Sequence, residues 1–401
     1  MEQAGGGPAV GWLRTKSERV LLLAVRTNVC DDLGIDLPIF AFSHCRDVVA
    51  AVSKAGGLGV LGALAFTPEQ LEIELRWIDE HIGGRPYGVD VVMPASYAGA
   101  GEVDPEHLSE EFEAMIPETH RRFVEEVLER YHVPPLPAES DEPMRLLGWT
   151  HEGARPQVDI ALSHPISLLV NALGPPPRDI VDQAHEHGVK VAALIGSVQQ
   201  AERQKNQGVD IIVAQGHEAG GHTGEVSTMV LVPEVVDAVA PVPVLAAGGI
   251  GRGRQMAAAM ALGAQGVWTG SVWLTTAESG TTPEVMEKLL AASSRDTVRS
   301  RCMTGKPARQ LRTAWTQAWD EEGSPGTLPM PLQYMLTADA QRRIARSGIP
   351  ELVGMPVGQI VGSMNKVRPV RDVIVDLMEE FVEATERLDG LLSEREEPVR
   401  G

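Results

Sequence analysis

The residues best suited to chemistry lie in one short stretch, AQGHEAGGHTGE, at residues 214–225. It directly follows GVDIIV, a run of branched apolar residues typical of a buried strand, and it holds His217 and His222 among glycines. A histidine can exchange a proton near neutral pH, and glycine lets backbone approach a flat ligand closely. The stretch predicts a binding loop with an acid–base group. His222 is the favoured candidate, whereas His217 is equally well a solvent-exposed or capping residue.

A metal site is the first alternative for these histidines. They are five residues apart with glycines between them, so they do not share a helix face as an HExxH pair does, and no third ligand stands out. The cysteines (Cys30, Cys45 and Cys302) are widely spaced and odd in number, which argues against a zinc cluster or a disulfide framework. We predict no metal. Cys45 near a strand end is better read as a small buried hydrophobe than as a nucleophile.

Eight short apolar runs, each followed by a helical pattern, predict the elements that position this loop. They are PIFAF (38–42), GLGVLG (57–62), YGVDVVM (87–93), ISLLVNAL (166–173), KVAALIG (190–196), VDIIVAQG (209–216), VPVLAAGG (242–249) and QGVWTGS (265–271). Strands that are apolar on both faces and alternate with helices imply a parallel sheet, and eight units close a (β/α)₈ TIM barrel of the α/β class. An open doubly wound sheet is less favoured because it usually has fewer strands.

In such a barrel the site lies at the carboxyl ends of the strands. His44 directly follows the first strand and is therefore expected at this mouth. Asp90 lies inside the apolar third strand, where a carboxylate must be hydrogen-bonded or paired, so it either binds a ligand or supports the barrel floor. Asn171 can also reach the pocket, but a structural role is at least as favoured.

Two glycine-rich turns follow the seventh and eighth strands. Gly248 and Gly249 lead into a helix whose first-turn N–H groups are expected to be unpaired, and Gly270 and Ser271 end the next strand. Free amides at a helix N-terminus attract anions, and these two loops are the usual phosphate site of the fold. Two such turns in succession predict a phosphate site, with ordinary helix-start turns as the alternative.

Two segments interrupt the regular alternation and suggest a domain organisation. We expect an N-terminal tail (1–25), a barrel (26–274) with an acidic helical insertion after strand three (about 96–155), a small helical cap or substrate region after strand eight (275–365), and a C-terminal helix packing on the barrel (366–401). The acidic insertion is better read as a solvated surface element than as a partner-binding one.

Composition limits the partners and the compartment. A formal net charge of -20 argues against nucleic acid or an acidic membrane surface, both of which repel such a chain. The longest early apolar run, VLLLAV, is too short for a membrane span. With the cysteine pattern, this predicts a cytoplasmic protein that acts on a small molecule. The oligomeric state stays open, with a homodimer as one expectation.

The motifs of this sequence resemble those of the nitronate monooxygenase family, once called 2-nitropropane dioxygenases. Members of that family are FMN-binding (β/α)₈ proteins. QGHEAGGHTG resembles the loop with the family's active-site histidine, PVLAAGGIGRGRQMAAAMALGAQGVWTGSVW its FMN phosphate segment, and VGQIVGSM its closing glycine-rich turn. The resemblance covers roughly residues 26–390. Flavin enoyl-thioester reductases of fatty-acid synthesis are similar in the first two of these segments.

The resemblance implies a role for particular residues. It makes His222 the active-site histidine beside the flavin. It places the FMN contacts at Phe42, Ser43, Asp90, Gln215, Gly220, Gly221, Ala247, Gly248, Gly249, Gly270 and Ser271. Where family members commonly have Pro-Met after strand one, this chain has Ser43-His44, which adds His44 as a second candidate catalytic imidazole.

The activity implied by the resemblance is oxidation of an alkyl nitronate, with FMN and O₂, to a carbonyl compound and nitrite. The alternative is an NAD(P)H-dependent flavin reductase of enoyl thioesters or quinones. A third hypothesis, a barrel that binds a phosphorylated ligand without turnover, leaves the histidine-bearing loop unexplained.

Overall fold

A computed structural model describes residues 25–93, 108–137 and 151–392. The expected N-terminal tail, except its last residue, lies outside the described residues. So do residues 94–107 and 138–150, which include much of the expected insertion, and the last nine residues, 393–401.

A closed barrel of eight parallel strands forms the centre of the molecule. Its strands are β1 (Ile39–Ser43), β2 (Leu58–Gly62), β3 (Tyr87–Val91), β4 (Leu168–Asn171), β5 (Lys190–Ile195), β6 (Ile211–Gln215), β8 (Val244–Ala247) and β9 (Gly266–Thr269), while β7 (Gly221–His222) lies outside the barrel in the loop after β6. β9 closes the ring by pairing with β1. The predicted TIM barrel and its eight strands are confirmed.

Helices surround the barrel and extend it at one end. In chain order they are α1 (Asn28–Leu33), α2 (Arg46–Lys54), α3 (Pro68–His81), α4 (Leu108–Met115), α5 (Glu118–Arg130), α6 (His151–Ser163), α7 (Arg178–Glu186), α8 (Val198–Asn206), α9 (Thr228–Val239), α10 (Gly253–Ala261), α11 (Pro283–Ala291), α12 (Ala314–Ala318), α13 (Leu332–Ser347) and α14 (Val370–Asp389). The long α14 packs against α10 and α2, so it takes the place of the eighth barrel helix. No helix in the described ranges is long and apolar enough to cross a membrane.

Alternation along each strand divides the buried side chains between two cores. In β3, Tyr87, Val89 and Val91 belong to the core between the strands and the helices. Neighbouring strands send residues such as Val60 into a separate core inside the barrel. Because successive side chains of a strand point to opposite faces, Asp90 faces the barrel interior.

The insertion and the cap share a further core. Phe112 of α4 and Leu128 of α5 pack in one cluster with Trp315, Trp319 and Leu336 of the cap. The described helices of the insertion, α4 and α5, therefore have their apolar face covered by the cap and their acidic face in solvent. The sequence predicted the solvated face but did not identify the packing partner.

A small antiparallel sheet lies beside the barrel mouth. It consists of β10 (Thr297–Ser300), β11 (Ala308–Leu311) and β7, in the order β10-β11-β7. The residues after strand eight were expected to be helical and loop-rich, so this sheet was missed. It connects the cap directly to the loop that carries His222, since His222 pairs with Ala308.

Candidate active site

The carboxyl ends of β1 to β3 form one side of the barrel mouth. His44 Nδ1 lies 3.0 Å from the carbonyl oxygen of Gly62, and its ring meets Phe42 edge-on at a centroid distance of 5.0 Å. A Cβ on Gly62 would lie 2.7 Å from the His44 ring, so glycine at this position makes room for the imidazole. Gly62 in turn pairs with Asp90 in the next strand. His44 and Asp90, both predicted at the mouth, therefore lie on adjacent strand ends.

The His44 residue is exposed at the barrel mouth. Desolvation by the protein around its ring nevertheless lowers the pKa of His44, and the bond to the Gly62 carbonyl only partly offsets the effect. The imidazole is therefore neutral at pH 7. Because the ring is already neutral, it can accept a proton from a ligand in the mouth without first releasing one.

Asp90 is the most unusual polar residue of the barrel interior. It is 3% exposed, and its Oδ1 has no hydrogen-bond partner among the described residues. Burial raises the pKa of Asp90 well above its ordinary value, although a backbone contact at Ala172 acts in the opposite direction. Burial therefore favours the protonated, neutral form of Asp90. A buried polar atom without a partner costs free energy, and a ligand in the mouth can supply the missing bond.

Asn171 has a structural role. Its Oδ1 accepts a hydrogen bond from the Met93 amide at 2.9 Å, and its Nδ2 donates to the carbonyl oxygens of Met93 (3.2 Å) and Gly174 (2.9 Å). The side chain thus fixes the chain as it leaves β3 and β4. Of the two roles that the sequence left open, the structure supports this one.

The opposite side of the mouth is formed by β6 and β8. Gln215 ends β6 and pairs with Ala247 at the end of β8, and the Gly216 amide donates to the Ala247 carbonyl at 3.0 Å. Gln215 is half-buried. These two predicted cofactor contacts are therefore neighbours at one level of the barrel.

His222 is held by the small sheet rather than by the barrel. Its Nε2 lies 2.7 Å from Thr304 Oγ1, and no described residue bonds its Nδ1. Burial and, to a smaller extent, the positive charge of Lys306 together lower the pKa of His222 to about 4. The ring is therefore neutral at pH 7, and the Thr304 hydroxyl decides its tautomer. If Thr304 donates to Nε2, the free Nδ1 carries the proton; if it accepts, Nδ1 is a base.

His217, the other histidine of the loop, contributes through its backbone carbonyl. Its carbonyl oxygen accepts from Arg309 Nε at 3.1 Å and from Arg309 Nη2 at 3.0 Å. Arg309 is 5% exposed and also donates to Thr297 Oγ1. This arginine of β11 clamps the start of the loop and so positions His222 further along it. The sequence did not identify Arg309.

The phosphate prediction needs one correction. The first-turn N–H groups of α10 were expected to be unpaired, but the Gly251 and Arg252 amides both donate to Gln255 Oε1 at 3.0 Å. The Gly253 amide donates to Glu380 Oε2 at 3.0 Å. A glutamine side chain folds back onto this end of α10, and the Glu380 carboxylate of α14, which is paired with Arg252, accepts from the Gly253 amide. These three amides therefore already have acceptors and are not free for a phosphate.

The amides at the ends of β8 and β9 are different. Those of Gly249, Gly270 and Ser271 have no acceptor in the described part of the chain. A Cβ added to Gly270 would meet only Phe42, at 3.9 Å, so space is open beside it. Ser271 Oγ accepts from the Gly358 amide at 2.8 Å, which joins the closing glycine-rich turn to this position. The loops after β8 and β9 thus offer free donors around an open space.

Glycines also fit the loop after β6 to its neighbours. A Cβ on Gly220 would lie 2.8 Å from the amide nitrogen of Gly358, so the two turns touch backbone to backbone. Gly248, with φ +104°, passes so close to Thr228 that a Cβ would lie 2.8 Å from its hydroxyl oxygen. Gly221, with φ +75°, has nothing within 4 Å of such a Cβ. Gly220 and Gly248 are needed for packing, whereas Gly221 borders open space.

A separate cleft of about 310 Å³ lies between α10 and α14, with Arg252, Arg368 and Glu380 in its lining. None of the predicted site residues lines it. Across the described residues, no group of three or more His, Cys, Asp or Glu side chains is arranged to hold a metal ion. The candidate chemistry is therefore at the barrel mouth.

Comparison with known proteins identifies the family. The nitronate monooxygenase family model matches residues 41–380. The chain belongs to the nitronate monooxygenase family. Its relatives include a Mycobacterium tuberculosis protein, Rv1533, named as a monooxygenase, which is 56% identical over 379 residues that span 92% of this chain and 100% of the relative.

Two solved structures are also similar to this chain. Nitroalkane oxidase from Streptomyces ansochromogenes matches with a TM-score of 0.75 and 26% identity, covering 90% of this chain and 100% of its own. FabK from Thermotoga maritima matches with a TM-score of 0.70 and 30% identity, covering 92% of this chain and 100% of its own. The chain is thus an FMN-dependent oxidoreductase, as the resemblance of its motifs implied. The hypothesis of a barrel without turnover is wrong.

Proposed function

We propose that this protein is a nitronate monooxygenase, which oxidises alkyl nitronates with O₂ to a carbonyl compound and nitrite. The observation that carries the proposal is the geometry of His222. Its imidazole is neutral, is fixed by Thr304 at 2.7 Å, and keeps Nδ1 free of any partner among the described residues. A positioned hydrogen-bonding group of this kind can bind a nitronate oxygen.

The residues at the mouth fit FMN. The free amides of Gly249, Gly270 and Ser271 would hold its phosphate, with Ala247 and Gly248 beside them, because backbone N–H groups are good anion ligands. Phe42, Ser43, Asp90 and Gln215 would line the ring and its side chain, with Gly220 and Gly221 along the open edge. The orphaned Oδ1 of Asp90 supports this fit, since a neutral acid can donate to a ring carbonyl or nitrogen. When bound, FMN accepts electrons from the substrate and allows the reaction with O₂.

His222 would act on the substrate through Nδ1. With Thr304 donating to Nε2, Nδ1–H donates to a nitronate oxygen and orients the anion. With Thr304 accepting, Nδ1 takes a proton from the carbon of a neutral nitroalkane. A positioned acid or base contributes about 10²- to 10⁴-fold in rate. His44 is the second imidazole in our proposal, and it would assist from the β1 side of the mouth.

The experiment is an anaerobic titration of the FMN-loaded protein, first with propyl-2-nitronate and then with NADPH, followed by absorbance. Nitronate should bleach the flavin band at once, and admission of air should release nitrite. Rapid bleaching by NADPH with no effect of nitronate would reject the proposal.

The second candidate is an NAD(P)H-dependent flavin reductase of enoyl thioesters or quinones. It is supported by the likeness to FabK, which is as extensive as the likeness to nitroalkane oxidase. Both candidates use the same flavin contacts, so sequence motifs do not separate them. The same titration does, because each candidate names a different reductant.

We also propose a cytoplasmic setting, in which the three thiols stay reduced. Cys30, Cys45 and Cys302 are all unpaired in the structure. A homodimer remains our expectation for the oligomeric state, and light scattering of the purified protein tests it.

A further inference from the structure

Lys306 lies in the turn between β10 and β11, beside the residue that fixes His222. The Lys306 amide donates to Thr304 Oγ1 at 3.4 Å, the same hydroxyl that contacts His222 Nε2. The next residue, Pro307, accepts a hydrogen bond from the Thr223 amide at 3.3 Å, so the turn is tied to the His222 loop on both sides. Lys306 is therefore held next to the imidazole by backbone geometry.

The ammonium group of Lys306 has no carboxylate or hydrogen-bond acceptor among the described residues. Nearby cations do have partners: Arg299 pairs with Glu225 at 2.8 Å, Arg301 donates to the Gly305 carbonyl at 3.0 Å, and Arg309 clamps the loop backbone. Lys306 is also half-buried, and this burial lowers its pKa. A partly desolvated cation without a partner is costly, and an anion that enters the site removes the cost.

We propose that Lys306 and His222 form an anion subsite, in which Lys306 supplies the charge that recognises a small organic anion and His222 supplies the directed hydrogen bond. This rests on the proposed function and names the residue that would recognise the negative charge of its nitronate substrate. The two residues divide the work because His222 is neutral at pH 7 and cannot attract an anion by charge. Lys306 is tied through the Thr304 hydroxyl to the same imidazole, close enough for its positive charge to contribute to the lowered pKa of His222.

The test is calorimetric titration of the oxidised, FMN-loaded protein with nitrite, a planar anion that carries the same pair of oxygens as a nitronate. Lys306→Met should raise the nitrite Kd by about 10- to 100-fold, the range for loss of a hydrogen bond to a charged group. Lys306→Arg, which keeps the charge, should retain most of the affinity. Lys54→Met removes an exposed charge at the far end of the barrel and should leave the nitrite Kd unchanged.

Steady-state kinetics give a second readout. Lys306→Met should raise the KM for propyl-2-nitronate much more than it lowers kcat, because the lysine acts on binding. Three results would overturn the inference: no nitrite binding by the wild-type protein, equal nitrite affinity in Lys306→Met, or loosened FMN with unchanged nitrite affinity, which would place the lysine on the cofactor. Wild-type protein that binds nitrite through Lys306 but does not oxidise nitronates would reject the proposed function and leave the subsite standing.

Discussion

Polar side chains at the two ends of the barrel differ in whether they have partners within the protein. At the amino end, where β3 and β4 begin, His164 Nδ1 lies 2.6 Å from Asp79 and its Nε2 lies 3.0 Å from Glu72. The hydroxyl of Tyr87 donates to the other oxygen of Asp79 at 2.7 Å. Burial alone would lower the pKa of His164, but the bonds to the two carboxylates outweigh it and the net shift is upward. Each of these four side chains has a partner within the protein.

At the carboxyl end some groups lack a partner. Asp90 has an orphaned Oδ1, and Lys306 has no counterion among the described residues. His222 has a pKa lowered to about 4, the reverse of His164. Groups whose pKa values are shifted by burial and left without protein partners are typical of functional sites.

The comparison separates stability from function within one barrel. In this fold the amino end serves stability and the carboxyl end serves the reaction. Substitutions at the amino end should therefore lower the free energy of unfolding and leave turnover intact. Substitutions at the carboxyl end should affect ligands and turnover while costing little stability.

The largest expected effect is that of His222→Asn. Asparagine cannot accept a proton as imidazole does, so kcat/KM for propyl-2-nitronate should fall by about 10²- to 10⁴-fold. FMN should stay bound, because the imidazole does not hold the phosphate. Nitrite release and the flavin absorbance of the purified variant measure the two effects.

His185→Asn is the matched control, since His185 lies at the amino end and contacts Asp210 at 2.8 Å. Its turnover should equal that of the wild type. The pH profile sharpens the assignment: with a pKa of about 4, His222 stays neutral above that value, so kcat/KM should lose the His222 contribution only as pH falls toward 4. Full activity in His222→Asn would remove the difference between the two ends.

The fold and part of the site could be predicted because their signals are local. A strand such as GVDIIV is apolar on both faces, and the same holds for the other barrel strands, so their number and order follow from the sequence. Asp90 stood out because a carboxylate in an apolar strand has few explanations. The histidine-bearing loop stood out because glycines and histidines directly follow the apolar residues of a buried strand.

The rest of the site depends on contacts between distant segments. Thr304 and Arg309 lie 82 and 92 residues from the loop residues that they contact. With Lys306, they belong to a short hairpin whose strands of four residues carry a weak pattern. The turn sequence TGK between VRS and ARQL was the available signal for a hairpin. Glu380 reaches the start of α10 across 127 residues, which no local pattern indicates.

Asp90 gives the next largest effect. Because burial favours the neutral form of Asp90, Asp90→Asn should keep a similar hydrogen-bonding side chain and bind FMN almost as well. Asp90→Leu should weaken FMN by about 10- to 100-fold, since a ligand group then lacks its partner. FMN fluorescence on dilution measures both dissociation constants. Without FMN, Asp90→Leu should melt no lower than wild type, because it removes an unsatisfied polar group. A lower melting temperature of the apoprotein would instead assign Asp90 to the support of the barrel floor.

His164→Gln should have the opposite signature. The raised pKa of His164 means that its charge stabilises the folded state below the unfolded pKa of about 6.5, and that this contribution is lost as pH rises through the folded value. The variant should therefore lose about 1–2 kcal/mol in the free energy of unfolding at pH 6 and less at pH 9, with unchanged kcat/KM. Urea unfolding at the two pH values measures this. If His164→Gln lost more free energy of unfolding at pH 9 than at pH 6, the charged pairing with Asp79 and Glu72 would be contradicted.

The smallest expected effect comes from a pair of serines that make the same bond at opposite ends of the molecule. Ser271 Oγ accepts from the Gly358 amide at 2.8 Å at the carboxyl end, and Ser53 Oγ accepts from the Gly59 amide at 3.0 Å near the amino end. Alanine at either position leaves one N–H without an acceptor, a cost of about 1 kcal/mol. For Ser271→Ala that cost should appear as FMN affinity weakened about fivefold, since the closing turn is no longer tied to the phosphate loop. For Ser53→Ala it should appear only in urea unfolding, and a loss of FMN affinity in that variant as well would mean that the two ends are not independent.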